Sequence, residues 1–99
     1  MNHGYEIYTK SGGKKNVVKV GISAGRLNKN GSSRRANKQV RKWNKQAGYE
    51  KYKSRVVQKK LKGRSKALRW EQGHVNRVYL KKAKLNKHRR PTPQKWRWY

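Results

Sequence analysis

The sequence predicts a small α+β domain, a three-stranded antiparallel sheet flanked by helices. Three observations point to it. GYEIYT at residues 4–9 and NVVKVGIS at residues 16–23 are rich in Tyr, Ile and Val and are separated only by a short Gly-bearing segment, the pattern of two strands in a hairpin. Two later stretches repeat apolar residues every three or four positions among Lys and Arg, the pattern of helices with one buried face. Between them KYKSRVVQKK, residues 51–60, carries Tyr52, Val56 and Val57 and reads as a third strand with its charges outward.

In chain order, Ser11, Gly12 and Gly13 can take the positive φ values that a tight reversal needs. Strand alternation then puts Tyr5 and Ile7 on one sheet face and Tyr8 on the other. AGRLNKNG, residues 24–31, is a loop by its Gly and Asn content, and Ser32 or Ser33 caps the helix that follows to about Gln46. Ala36, Val40, Trp43 and Ala47 form the apolar face of that helix, and Gly48 ends it. The second helix spans residues 64–79, RSKALRWEQGHVNRVY, with Ser65 or an upstream group as its cap. Gly73 in its middle costs about 1 kcal/mol relative to Ala, which implies close packing or a kink there. Pro91 and Pro93 forbid helix near the end, so residues 1–90 read as one domain and 91–99 as a basic, aromatic tail.

The chain has 99 residues, of which 30 are Lys or Arg, three are Glu and none is Asp, for a formal net charge of +27. With 31% hydrophobic residues it can build one thin core, in which Trp and Tyr replace the absent Phe. Self-repulsion at this charge calls for a polyanionic or acidic companion, and nucleic acid is the expected one. No apolar run is long enough to span a bilayer, and the polar N-terminus lacks the apolar stretch of a signal peptide. Cysteine is absent, which removes disulfides and thiolate metal sites. A non-catalytic RNA- or DNA-binding protein of the ribosomal kind accounts for the charge alone.

Glu71 argues for more than charge. Ala67, Leu68, Val75, Val78 and Tyr79 recur at helical spacing, and Glu71 falls inside that stripe, one turn after Ala67 and one before Val75. A carboxylate placed there needs a partner or a task, and we infer that Glu71 holds a metal ion. Counting excludes the commoner active sites. Without Cys or Asp there is no Cys–His dyad, no Cys-type zinc site and no Asp-based two-metal cluster. His3, His74 and His88 form no zinc-binding spacing, and no GxxxxGK loop is present. An enzyme acting on phosphodiesters must therefore work with one carboxylate, one hydrated metal ion, hydroxyls and cations.

The order of elements and the residues at their ends resemble the GIY-YIG nuclease domain over about residues 5–86. HGYEIY supplies the first-motif tyrosine, Tyr5, with Ile7 two positions on. KVGIS supplies Lys19, Val20, Gly21 and Ser23 for the second motif. SSRRA offers Arg34 and Arg35 for the arginine at the start of the first helix, Arg35 being preferred because it immediately precedes Ala36. ALRWEQ matches the glutamate that follows an alanine on a later helix, and Leu85-Asn86 matches the Leu-Asn pair beyond it. The chain departs from the family in having His3-Gly4 before the first tyrosine and Lys19 where the second motif has a tyrosine. Counting strictly from Lys19 would select Tyr8 instead of Tyr5.

The resemblance implies hydrolysis of nucleic-acid phosphodiesters, with DNA favoured, by Tyr5, Lys19, Arg35 and Glu71. Glu71 would hold Mg²⁺ or another divalent cation, Arg35 would contact phosphoryl oxygens, and Tyr5 would activate water with Lys19 across the hairpin favouring its ionised form. Lys19 could itself be the base if burial and cationic neighbours lower its pKa. Tyr8, Arg34, His74 and Asn86 are secondary candidates. Arg26, Lys38, Arg41, Lys42, Arg64 and Arg69 are the expected backbone contacts. A nuclease this small and basic also resembles the C-terminal toxin module of bacterial competition systems, which implies a larger parent polypeptide, delivery into the cytoplasm of a target cell, and an acidic immunity protein as inhibitor. A metal-independent ribonuclease toxin using His and Lys is the other catalytic alternative.

Overall fold

The computed structural model describes residues 2–11, 13–81 and 85. Asn86, the tail 91–99 and the boundary at residue 90 lie outside these. Three strands, β1 (Asn2–Ser11), β2 (Lys14–Ser23) and β3 (Tyr52–Leu61), form one sheet in the order β2-β1-β3 with both pairings antiparallel. The expected α+β architecture is thus present. The hairpin strands are longer than their apolar content suggests, because Lys10 pairs with Lys15 and Ser11 with Lys14, and ladder hydrogen bonds require only backbone. Gly13, at φ +80°, makes the reversal.

A bulge in β2 decides which side chains reach which face. Ile7 pairs with Lys19 and Tyr8 with Val17, leaving Val18 as the extra residue. Val18 then joins the cluster of Tyr5, Ile7, Ala36 and Tyr52 on one side of the sheet. Val17 and Val20 join Val75, Val78 and Leu85 on the other.

Helix α1 (Arg34–Ala47) covers β3 and β1 on the first face, and α2 (Arg64–Leu80) covers β2 and β1 on the second. Of the two expected caps, Ser32 and Ser33, the helix uses Ser33, whose hydroxyl accepts from the Ala36 N–H and also meets the buried His3 Nε2 at 2.8 Å. Gly48, at φ +82°, ends the helix by donating its N–H to the Asn44 carbonyl. Asn44 further accepts from the Tyr52 N–H at 2.7 Å and donates to the Tyr52 carbonyl at 3.2 Å, which fixes α1 on the edge of β3.

Helix α2 differs from expectation at two points. It starts after Gly63 with no side-chain cap, Ser65 lying already in its first turn. Its buried stripe is narrower than the sequence pattern, since Ala67, Val75 and Val78 are buried while Leu68 and Tyr79 are 44% and 37% exposed. The reason is that α2 lies along the β2 side of a three-stranded sheet, so only a thin strip of its surface is covered. Gly73 is buried, as its mid-helix cost implied. No described helix is long and apolar enough to cross a membrane.

Candidate active site

With α1 over β1 and β3 and α2 over β1 and β2, the outer edge of β2 is left open between the helices. A cleft of about 1050 Å³ runs along it, floored by residues 19–24 and walled by both helices. Tyr5, Lys19, Arg35 and Glu71, one from each of β1, β2, α1 and α2, all line this cleft.

Tyr5 belongs to the central strand, one ladder step in from the edge, and is 1% exposed. Its ring passes over its ladder partner Gly21, and a Cβ at that position would overlap the phenol. The Tyr5 hydroxyl donates to Gln39 Oε1 at 3.2 Å. Gln39 sits one helical turn after Arg35, so the two occupy one stripe of α1 with Lys42 beyond them. Tyr8 lies on the opposite face, packed against the second cluster with Lys15 Nζ 5.5 Å from its ring centre. The cleft tyrosine is therefore Tyr5.

The charges in the cleft act on one another. Burial raises the Glu71 pKa to about 7, against the opposing pull of Lys19, Arg35 and Arg64. Among the described residues its carboxylate has no ion-pair partner within 4.0 Å, so it is not consumed by a structural salt bridge to Arg35. Burial, and then the Arg35 charge, lower the pKa of Lys19, with Glu71 working the other way. Burial raises the pKa of Tyr5, while the neighbouring Arg35 charge opposes it. The Lys19 ammonium lies 5.8 Å from the ring centre of Trp43.

Could Glu71 hold a cation? No group of three His, Cys, Asp or Glu able to hold a metal exists among the described residues. The described residues thus offer no preassembled zinc-type cage. A single desolvated carboxylate without an ion-pair partner, facing an open cleft, fits a hard cation that keeps most of its ligands as water and substrate oxygen, as Mg²⁺ does.

The remaining sequence candidates divide. Lys42 and Arg64 line the cleft. Arg26, Lys38, Arg41 and Arg69 are exposed outside its lining. Arg34, also exposed, donates from Nε to Asn28 Oδ1 at 3.1 Å and braces the preceding loop. Asn86 lies outside the described residues.

His74 is not in the cleft. Its Nε2 lies 3.0 Å from Glu6 Oε2 on the other side of the sheet, and its ring stacks on Trp70 at 4.9 Å and 11°. Arg77 approaches His74 Nδ1 at 3.2 Å. Because a guanidinium only donates, Nδ1 must accept, which leaves the proton on Nε2 to donate to Glu6. Lys15 Nζ and Arg55 Nε reach Glu6 Oε1 at 2.9 and 2.7 Å. Burial alone would raise the Glu6 pKa, but hydrogen bonds from His74 and Lys15 and the charge of Arg55 hold it down at about 2.

Sequence reading passed over Glu6, Gln39 and Trp43 as site or positioning residues. A signal for Glu6 existed, since it is one of only three acids and alternation sends it opposite Tyr5. Gln39 was also within reach, four positions after Arg35.

A sequence model of the URI fold toxin 2 family matches residues 1–83. Comparison with curated proteins and with solved structures returned no match.

Proposed function

Since this chain belongs to the URI fold toxin 2 family, we propose that it is the catalytic part of a delivered bacterial toxin and that it hydrolyses nucleic-acid phosphodiesters with a site of the GIY-YIG type. The observation carrying this reading is the convergence of Tyr5, Lys19, Arg35 and Glu71 from four separate elements on one basic cleft.

In-line attack on a phosphodiester builds negative charge on the non-bridging and departing oxygens, so cations near both lower the barrier. Glu71 is the residue that would hold a divalent cation, which when bound supplies positive charge near the departing oxygen. Arg35 presents a planar fork able to engage two phosphoryl oxygens at once. The directions of the pKa shifts favour Lys19 over Tyr5 as proton acceptor, because burial brings an amine toward its neutral, basic form and keeps a phenol protonated. Tyr5, anchored by Gln39, then orients the attacking water. The other cations supply sequence-independent backbone affinity that falls steeply with salt. An acidic immunity protein would complement the same charge in the producing cell, and the substrate would be met in the cytoplasm of the target cell.

The test is incubation of the protein with supercoiled plasmid and with total RNA, with and without Mg²⁺. Cleavage that needs Mg²⁺, stops with chelator, and is lost in Glu71→Ala while binding persists supports the proposal. Binding without cleavage under every condition leaves a polyanion-binding toxin. Chelator-resistant cleavage of RNA alone transfers the role to a metal-free ribonuclease.

A further inference from the structure

We infer that the cleft carries two nucleotide subsites, Lys42 with Trp43 at one end and Arg64 with Leu68 at the other, and that its substrate is an unpaired strand whose bases are held there. This deepens the nuclease reading and rests on it for the phosphate placed between the two ends.

The order along the cleft follows from topology. Trp43 stands beside Lys19, the first floor residue, and Lys42 adjoins it in the later turns of α1. Arg64 opens α2 directly after β3, whose last residue Leu61 pairs with Asn2, and Asn2 lines the cleft at the Ser23–Ala24 end. Leu68 follows Arg64 by one turn and precedes Glu71 by slightly less than one. Arg35, Tyr5 and Glu71 therefore lie between the two pairs.

Lys42 lies seven positions after Arg35 on its helix, and Glu71 seven after Arg64, a rise of about 10 Å in each case. That reaches past the central phosphate to a neighbouring nucleotide in either direction. Each end thus joins one cation, suited to a phosphate, with one apolar side chain, suited to a base.

The apolar members are what distinguish an unpaired strand from a duplex. A duplex shows a protein its phosphates and sugars first, and for those the cations suffice. Leu68 is 44% exposed in a chain with few apolar residues to build a core, and its place in the cleft wall gives that exposure a use. Trp43 leans edge-on against Tyr52, with 5.5 Å between ring centres, and still contributes to the cleft lining. Stacking on an aromatic ring accepts any base, in keeping with a cleft that otherwise recognises backbone.

The experiment measures binding in chelator, so that no cleavage intervenes. Fluorescein-labelled DNA and RNA 12-mers are titrated unpaired and as blunt duplexes at moderate salt, against wild type, Leu68→Ser, Trp43→Leu and the conservative Trp43→Phe, with folding checked by circular dichroism. The unpaired strands are expected to bind roughly 10-fold more tightly than the duplexes. Leu68→Ser and Trp43→Leu should each lose about 5- to 10-fold on unpaired strands and little on duplex, with Trp43→Phe retaining most of the affinity. Duplex binding as tight as single-strand binding, or unpaired-strand affinity indifferent to Leu68→Ser and Trp43→Leu, overturns the inference while leaving the nuclease reading intact. The expected preference in a protein that cleaves nothing would retain the subsites and remove the nuclease.

Discussion

The phenol of Tyr5 reaches the cleft by crossing the face of Gly21, its partner in the β1–β2 ladder. A central-strand residue is thereby delivered to a site on the sheet's edge. Any Cβ at position 21 would occupy the space of that ring. We therefore expect Gly21→Ala to displace Tyr5, cost about 1–3 kcal/mol by overpacking, and abolish cleavage. Denaturant melts and the plasmid and RNA assays check both effects, and Gly21→Ala with wild-type stability and activity would contradict this geometry.

Glu71 gives opposite expectations for stability and activity. Its folded-state pKa of about 7 lies above the ordinary carboxylate value of 4.5, so the folded protein binds the extra proton between these values. Its contribution to stability is then fully present below about pH 4.5 and is lost as pH rises through about 7. Glu71→Gln, which cannot ionise, should raise Tm at pH 8 in chelator and leave it little changed at pH 4, while removing cleavage. Thermal melts at the two pH values read this directly.

Metal and proton should compete for the same carboxylate. At limiting Mg²⁺ the rate is expected to rise with pH through about 7 as Glu71 ionises, and the rising limb should move to lower pH as Mg²⁺ is increased. A limb that stays in place across a wide range of Mg²⁺ would remove Glu71 as the metal-binding group.

On the opposite face Glu6 joins all three strands and α2 through Lys15, Arg55 and His74. Its pKa is depressed from 4.5 to about 2, so its contribution is present above about pH 4.5 and is lost as pH falls toward 2. Glu6→Gln should destabilise the protein at pH 7 by about 3 kcal/mol. This is the low end for a broken buried pair, since Lys15 and Arg55 remain partly in solvent. Urea unfolding at pH 7 and pH 2.5 should find the difference between wild type and Glu6→Gln large at the first and much reduced at the second.

Ser33 ties α1 to β1 by capping Ala36 and meeting His3. Ser33→Ala should cost about 2 kcal/mol, combining a lost cap with a buried imidazole left without its partner, and should reduce cleavage by loosening Arg35 two residues on. Ser33→Thr, which keeps the hydroxyl, is expected to restore most of both in the same melts and assays.

The sequence by itself determined the element types, the three-stranded sheet, both ends of α1 and the isolation of Glu71 as an acid among cations. These follow from local chemistry: strand alternation, helical spacing, a Ser cap, Gly stops and a count of carboxylates. Only tertiary structure decided that Val18 joins Tyr5 in the cluster under α1, that His74 serves Glu6 and not Glu71, and that Leu68 stays exposed. The cause is the bulge at Val18 together with the placement of α2 along the β2 side of the sheet. The first sets the face on which each β2 side chain emerges, and the second sets which strip of the helix is covered. Neither is written in the spacing of residues along one element, because each arises from how two elements meet.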